Sequence, residues 1–561
     1  MPAEPTGTQA KSTGGEHGVN VVLCLVDDLG YSDFGCYGSE IRTPAVDALA
    51  RSGVRFSQLY NSARCCPSRA ALLTGLHPHQ AGVGHMVWRG PGDAYAGFLN
   101  EGCTTIPEVL GANGYQTFMS GKWHVGGNYD ALPPEKWRPG AAGFPTPLQR
   151  GFDRFFGTLT GSGSYYQPAT LMREDRFIAQ EDPDWYYTDA IADEAIAMLA
   201  GRDERRPFFL YLAFTAPHWP LHARAATIDS YRDQYRAGWD RLRGERHERL
   251  IAEGLLSEKW ALSPRDPESW PYESSVDRDW ESARMATYAA QVEHLDAAVG
   301  RVVEQLRADG TFDNTLFLLL SDNGGCAELL REDVIPDRTW PSSVPLSTFN
   351  GAPVAVGNRV GVLPGGPDTF ASYDVCWANL SNAPFRRHKR WVHEGGISTP
   401  FIVHWPGHVD AGTIVHRPAH ITDVLPTILE ATGATYPSER AGRPIPSPAG
   451  ASLLGEITGS APGAQRTICF EHEGHRAIRA GEWKLVSVRS GDWELYNMSE
   501  DRTELDDLAD SETERVEALG TTWFEWASAV GSDTSVFDDV DLIESNYVGI
   551  SPELRRQYWL H

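Results

Sequence analysis

The sequence predicts an α/β fold: a large, mixed, mostly parallel sheet flanked by helices, with a smaller C-terminal α+β part carrying an antiparallel sheet. Three observations carry that expectation. Short, strongly apolar runs end abruptly in polar residues, as buried strands do where they leave a parallel sheet at their carboxyl ends. A long segment between two such runs has apolar residues at helical spacings of three and four. Strand and helix patterns alternate along the chain, and no internal repeat interrupts them.

Residues 1–18 contain no strand or helix pattern and are expected to form a flexible N-terminus. The run 19–26 (VNVVLCLV) reads as the first buried strand and leads straight into Asp27 and Asp28. Residues 208–214 (FFLYLAF) are followed by Thr215, Ala216, Pro217 and His218, and residues 316–320 (LFLLL) by Ser321, Asp322, Asn323 and Gly324. Three strands thus deliver polar groups to one sheet edge, where ligands bind in open α/β sheets. Met285, Tyr288, Val292, Leu295, Val299, Val302 and Leu306 form one apolar stripe of a helix that packs on the sheet, and Gly310 ends it. Within a main domain at 19–440, residues from about 222 to 280 are rich in charge and Trp. They read as an insertion over the sheet edge, where insertions shape access. Pro, Gly and Ser at 436–451 mark a linker into a subdomain at 441–531. There residues 467–470, 483–488 and 493–496 read as short antiparallel strands and 512–530 as a helix. An acidic, then aromatic extension occupies 532–561.

At 561 residues, 41% hydrophobic and 11% aromatic, the chain can bury a sizeable core, which excludes a disordered scaffold. A formal net charge of -26 with no basic block argues against nucleic acid as a partner, since phosphate binding needs a basic face. The same acidity opposes long-range steering of an anion, so an anion site has to be a local gathering of Lys, Arg and His. The first residues show no apolar stretch behind a basic one, and no later run approaches bilayer length. The expectation is a cytoplasmic protein without a membrane partner. Cys24, Cys36, Cys65, Cys66, Cys103, Cys326, Cys376 and Cys469 follow no regular spacing and are expected to be reduced thiols.

Adjacent carboxylates at Asp27 and Asp28, at the end of a buried strand, repel each other unless a cation neutralises them. Asp322 and Asn323 supply two more hard oxygen groups at a matching strand end, a donor set suited to calcium or magnesium rather than zinc. Either pair by itself also fits a helix cap or a turn. The segment 65–75, CCPSRAALLTG, is the most informative. Two packed thiols at a helix start would account for the cysteines. A thiol phosphatase would need Arg six residues after Cys, and neither cysteine has one there. A helix beginning near Pro67 would set residue 65 beside unpaired backbone N–H groups, a natural seat for an anion.

Here the sequence resembles the type I, formylglycine-dependent sulfatases, whose signature is Cys, any residue, Pro, Ser, Arg, Ala, any residue, Leu-Leu-Thr-Gly. Every fixed position of that string is matched, and the departure comes after it, at Leu76, where the family often has Arg. Pro stands two after Cys65, whereas Ser stands two after Cys66, so Cys65 is the residue the resemblance marks for oxidation to formylglycine (3-oxoalanine). The likeness extends from VVLCLVDDLG through GKWHVGG, TAPHWPLH and SDNGG to HEGGISTPFIVHWPG and WELYNMSEDRTELDDL, and is to the aryl and alkyl sulfatase branch of the alkaline phosphatase-like superfamily.

The resemblance implies that Asp27, Asp28, Asp322 and Asn323 bind calcium, in preference to magnesium, together with an oxygen of the hydrated Cys65-derived aldehyde. It implies that Arg69 holds the nucleophile and metal site, that Lys122 and Lys389 bind sulfate, and that His218 protonates the departing alcohol. It also implies that His124 takes a proton from the second hydroxyl of the diol. Lys389 precedes Glu394-Gly395-Gly396 by five residues and is flanked by His388 and Arg390. The expected substrate is a small sulfate ester, and the expected maturation partner is a formylglycine-generating enzyme. The sequence leaves oligomeric state open. Trp88, Trp123, Tyr165, Tyr166 and Trp219 near the expected mouth are compatible with an aryl or apolar alkyl group. Two rival functions follow: a phosphonate monoester or phosphodiester hydrolase using the same site, and a non-catalytic binder of sulfated ligands if Cys65 stays a thiol.

Overall fold

The run at 19–26 forms strand β1 (Asn20–Asp27) in the computed structural model, which describes residues 18–180, 182–330, 344–461, 463 and 466–537. The main sheet continues with β2 (Val54–Tyr60), β3 (Gln116–Lys122), β4 (Arg154–Thr158), β5 (Leu171–Arg173) and β6 (Arg176–Phe177). It is completed by β7 (Phe208–Pro217), β8 (Thr315–Ser321), β9 (Ser398–His404), β10 (Thr413–Val415) and β11 (Ala419–His420). Their order is β10-β2-β9-β8-β1-β7-β3-β4-β5-β6, with β11 also pairing β2. Both faces of β1 are covered, which is why it is apolar throughout rather than alternating. Val22, Cys24 and Val26 pack into one core, and Val21, Leu23 and Leu25 into the core on the opposite face.

Strands β8, β1, β7 and β3 are adjacent and mutually parallel, so their carboxyl ends share one edge. Strand β9 runs antiparallel to both β8 and β2, and its amino end therefore arrives at that same edge. This mixed but mostly parallel sheet, flanked by helices, is the architecture expected from the sequence. Among the helices are α1 (Pro44–Arg51), α2 (Cys65–Thr74), α3 (Tyr187–Ala200), α4 (Trp239–Ala252), α5 (Arg278–Ala308) and α6 (Asp374–Ser381). The predicted stripe from Met285 to Leu306 lies on α5, where all seven residues are buried and Asp277 caps the start by accepting from the Trp280 N–H.

Within residues 222–280, Tyr231, Tyr235, Trp239 and Leu242 join the core under α5, and α4 contacts α6, while Trp260 and Trp270 pack against that core partly buried. The segment also holds the chain that leads to Lys389, where Asp266 accepts from the Arg387 N–H at 2.8 Å.

The C-terminal sheet contains β12 (Thr467–His472), β13 (His475–Ala480), β14 (Trp483–Ser487) and β15 (Trp493–Asn497), each antiparallel to the next. Strand β13 was not among the expected strands, because in HRAIRA only Ile478 and two alanines carry an apolar signal. Cys469, Ile478, Leu485 and Leu495 pack on Trp523 and Ala527 of helix α7 (Thr513–Val530). The other face, with Ile468, Phe470, Ala477, Val486 and Tyr496, packs on Tyr60, Ala63, Val392 and Ile397 of the main domain. The expected flexible N-terminus, except Gly18, and the extension beyond residue 537 lie outside the described residues. All eight cysteines are buried and unbridged, and no helix among the described residues is long and apolar enough to cross a membrane.

Candidate active site

The shared edge gathers the polar groups that end its strands. Asp27 closes β1, and Asp28 follows at φ +65°. Asp322 and Asn323 follow β8. The Asp28 N–H donates to Asp322 Oδ1 at 3.2 Å, and Asn323 Nδ2 donates to Asp28 Oδ1 at 2.7 Å, so the two strand ends form one cluster. Each of these four residues is at most 1% exposed. Three cations neutralise them. Lys122 Nζ lies 2.5 Å from Asp27 Oδ2, Arg69 donates through Nε and Nη2 to Asp322 Oδ2 at 3.1 and 2.9 Å, and Lys389 Nζ lies 2.8 Å from Asp28 Oδ1.

Local sequence explains how each cation arrives. Lys122 ends β3, and Gly121 before it has φ +122°, with a would-be Cβ 1.8 Å from the Ala213 carbonyl oxygen of β7. Only glycine tolerates that conformation and that approach. Arg69 lies on α2, fully buried, and also donates to the Lys122 carbonyl at 3.0 Å, tying helix to strand. Lys389 enters on the loop before β9 and is anchored by its N–H to the Gly325 carbonyl at 3.1 Å. The neighbouring side chains point elsewhere: His388 Nδ1 meets the Lys389 carbonyl, and Arg390 pairs with Glu473. Burial pulls the Lys389 ammonium down, but Asp28 together with Cys326, Glu328 and Cys65 outweighs it and holds it well above the ordinary lysine value.

Cys65 is the first residue of α2, two positions earlier than the start expected from Pro67, with Arg64 in extended conformation before it. The thiol is 1% exposed. Burial pushes it up, but a bond from Cys66 and the charges of Lys122 and Lys389 hold it well below the usual thiol range. His124, at φ +54°, meets Cys66 Sγ at 3.2 Å through Nε2, and the ligating atoms of Cys65, Cys66 and His124 all lie within 4.8 Å of one another. Burial lowers His124 to about 4, so its ring is neutral near pH 7. His218 follows β7; its Nδ1 donates to the Trp219 carbonyl at 2.6 Å, and Nε2 lies 3.4 Å from both Asp28 Oδ2 and Lys389 Nζ.

All the residues singled out from the sequence thus converge on one edge. Two of the expected mouth aromatics do not. Trp123 is fully buried, with its indole N–H on the Pro145 carbonyl, and Tyr165 is a brace whose hydroxyl reaches the Thr215 and His218 carbonyls. Trp219 is partly buried beside the His218 ring, 4.6 Å between centroids. Sequence reasoning missed Glu328, which accepts from Arg64 and from the Trp219 indole, and Glu473 at the β12–β13 turn. The Glu473-Gly474 pair, both at positive φ, is the turn signal that could have revealed that hairpin.

The donor set fits a hard divalent cation. Asp27 Oδ1 and Asn323 Oδ1 are buried and accept no hydrogen bond, two oxygens left facing the cluster.

A mostly parallel sheet with a polar site at its carboxyl edge is the arrangement of a ligand-binding α/β protein. Its sequence relatives narrow the assignment. A sequence model of the sulfatase family matches residues 19–434. An uncharacterized sulfatase of Schizosaccharomyces pombe is 33% identical over 500 residues, 84% of this chain and 85% of the relative. The arylsulfatase of Klebsiella aerogenes is 32% identical over 462 residues, 78% of this chain and 93% of the relative. The crystal structure of Ps i-CgsB superposes with a TM-score of 0.62 at 25% identity, covering 91% of this chain and 93% of that one. The chain belongs to the sulfatase family, and it is an enzyme of sulfate ester hydrolysis.

Proposed function

We propose that this sulfatase hydrolyses aryl or alkyl sulfate monoesters to an alcohol and inorganic sulfate, with Cys65 converted to formylglycine and calcium held by Asp27, Asp28, Asp322 and Asn323. One observation carries the reading: Cys65 opens a helix beside His124 and within the field of Lys122 and Lys389, next to an acidic cluster in which Asp27 Oδ1 and Asn323 Oδ1 accept no hydrogen bond. In the cluster the cation would offset charge on the sulfuryl group. Conversion of Cys65, by a formylglycine-generating partner, would supply a hydroxyl nucleophile in place of a thiol.

The chain's own groups then divide the work. Lys122 and Lys389 hold the sulfuryl oxygens from two sides and favour the charge that builds on them in the transition state. Arg69, bonded to Asp322 and to the Lys122 carbonyl, fixes both in register. With the Nδ1 proton committed to the Trp219 carbonyl, the doubly protonated form of His218 also carries a proton on Nε2, beside Asp28, and gives that proton to the leaving alcohol oxygen. His124, neutral because it is buried, can accept the proton whose removal releases sulfate. The partly buried Trp219 beside His218 supports an apolar or aromatic leaving group.

Hydrolysis of two matched 4-nitrophenyl esters, a sulfate and a phenylphosphonate, tests this, with Cys65→Ala as control. Preference for sulfate that disappears in the control is expected. Preference for the phosphonate would move the function to a phosphorus-ester hydrolase, and activity surviving in Cys65→Ala would remove the formylglycine reading.

A further inference from the structure

We propose that Glu473, on the C-terminal sheet, is a positioning residue for the reaction, because one carboxylate clamps the residue before the nucleophile and the residue after the second sulfate-facing lysine. The inference rests on the formylglycine reading above. Glu473 Oε1 accepts from Arg64 Nη1 at 3.2 Å, and Arg64 immediately precedes Cys65. Its Oε2 accepts from Arg390 Nε at 3.0 Å and pairs with Nη2, and Arg390 immediately follows Lys389. The Arg390 N–H also donates to the Ala63 carbonyl at 2.7 Å, so the two segments touch where the carboxylate joins them.

The arrangement is built rather than incidental. Glu473 is fully buried and sits at φ +53°, and Arg390 at φ +87°, conformations that side-chain-bearing residues adopt at a cost unless their surroundings enforce them. His85 meets Glu473 Oε1 at 3.2 Å, and the His472 ring stacks on His85 at 5.2 Å, closing the other side. Burial opposes ionisation of Glu473, but Arg390 together with the His472 and His85 contacts outweighs it, so the carboxyl lies well below its usual range. The other arm of Arg64 is held by Glu328 at 2.8 Å, and Glu328 in turn accepts from the indole N–H of Trp219, next to His218. Cys65, Lys389 and His218 are therefore each flanked in sequence by a member of one buried network, and the C-terminal sheet supplies its anchoring charge.

Glu473→Gln preserves shape and removes the charge. Steady-state hydrolysis of 4-nitrophenyl sulfate is measured per converted site, with conversion read from the mass of the Cys65 peptide. A displaced pair of catalytic segments is expected to lower kcat about 10- to 100-fold, the usual effect of losing an outer partner of a site. KM should not rise, and free sulfate should inhibit more strongly, because the substitution removes a negative charge from between two guanidinium groups that flank the anion site. Unchanged kcat per converted site, with any loss confined to the yield of folded protein, would show that Glu473 serves the fold only. Should the variant not fold, Arg390→Gln decides: kcat should fall while sulfate inhibits more weakly, and an unchanged kcat overturns the proposal. A wild-type protein that carries formylglycine yet leaves the ester intact would instead remove the reading on which the proposal rests.

Discussion

Withdrawal of the divalent cation probes the oxygen cluster most directly. Asp27, Asp28, Asp322 and Asn323 are at most 1% exposed, and Asp27 Oδ1 and Asn323 Oδ1 accept no hydrogen bond. A buried polar atom left unpaired costs about 1–3 kcal/mol, so ligating these two would return about 2–6 kcal/mol. Mass action gives a compatible figure: a ligand at about 100 to 1,000 times its Kd stabilises the folded state by about 2.7–4.1 kcal/mol. Purified protein unfolded by urea in calcium should therefore be about 3–4 kcal/mol more stable than in EGTA, for the cooperative unit that includes β1 and β8. Proton linkage supplies a second readout. Without the ion, burial and the neighbouring Asp27 raise the Asp322 carboxyl above its ordinary range, and an ion that takes the carboxylate as ligand draws it back down. Calorimetric heats should then differ between buffers of different ionisation enthalpy, and affinity should weaken as pH falls. Superimposable unfolding curves in calcium and EGTA would refute the reasoning. So would an Asn323→Ala variant that keeps the full calcium effect.

Other perturbations separate the roles of neighbouring residues. Lys389→Ala should lower kcat/KM by about 100- to 1,000-fold, the cost of losing one preorganised donor to a developing charge, and steady-state kinetics on 4-nitrophenyl sulfate would measure it. Glu394 is fully buried between Lys484 Nζ at 2.9 Å and Arg502 Nε at 3.1 Å. Glu394→Gln should cost about 3–5 kcal/mol in urea unfolding, since the buried Arg502 loses the carboxylate it pairs with and Lys484 is left with Glu504 alone, neither cation gaining solvent. His222 is fully buried; its Nδ1 accepts from the Tyr165 N–H while Nε2 donates to the Thr369 carbonyl, and burial lowers it to about 4. Because the folded state binds the proton less readily than the unfolded chain, its contribution is complete above the unfolded value of 6.5 and is lost as pH falls toward 4. Between pH 7 and pH 5 that amounts to about 2 kcal/mol, and His222→Gln should flatten the pH dependence of the urea midpoint by that amount.

How much could be read before folding differs by element. The buried strands β1, β7 and β8 were legible because a strand covered on both faces has to be apolar along its whole length, and its end is marked by the first polar residue. That logic located Asp27, His218 and Asp322. The signature at 65–75 likewise singled out Cys65 and Arg69. Helix α5 was legible from its stripe, and the C-terminal sheet from three of its four strands.

Contacts between distant segments were not legible, since periodicity records only which face of an element is buried. Which of His388, Lys389 and Arg390 meets the acidic cluster depends on a loop in which backbone bonds to Gly325 and Ala63 accompany three successive side chains turned in different directions, Lys389 toward Asp28. Trp123 and Tyr165 read as mouth residues and prove to be core and brace, because an aromatic residue carries the same sequence signal in either setting. Strand β13 and Glu473 were hidden by polarity: a buried charge resembles an exposed one until its partners, here Arg64 and Arg390, are brought within bonding distance. By itself the sequence determined the sheet, the signature around Cys65 and the chemical types gathered at one edge. Only the tertiary structure decided which cation meets which carboxylate, and that a separate C-terminal sheet reaches into the site, because charge pairing in a dry interior depends on distances that no local pattern encodes.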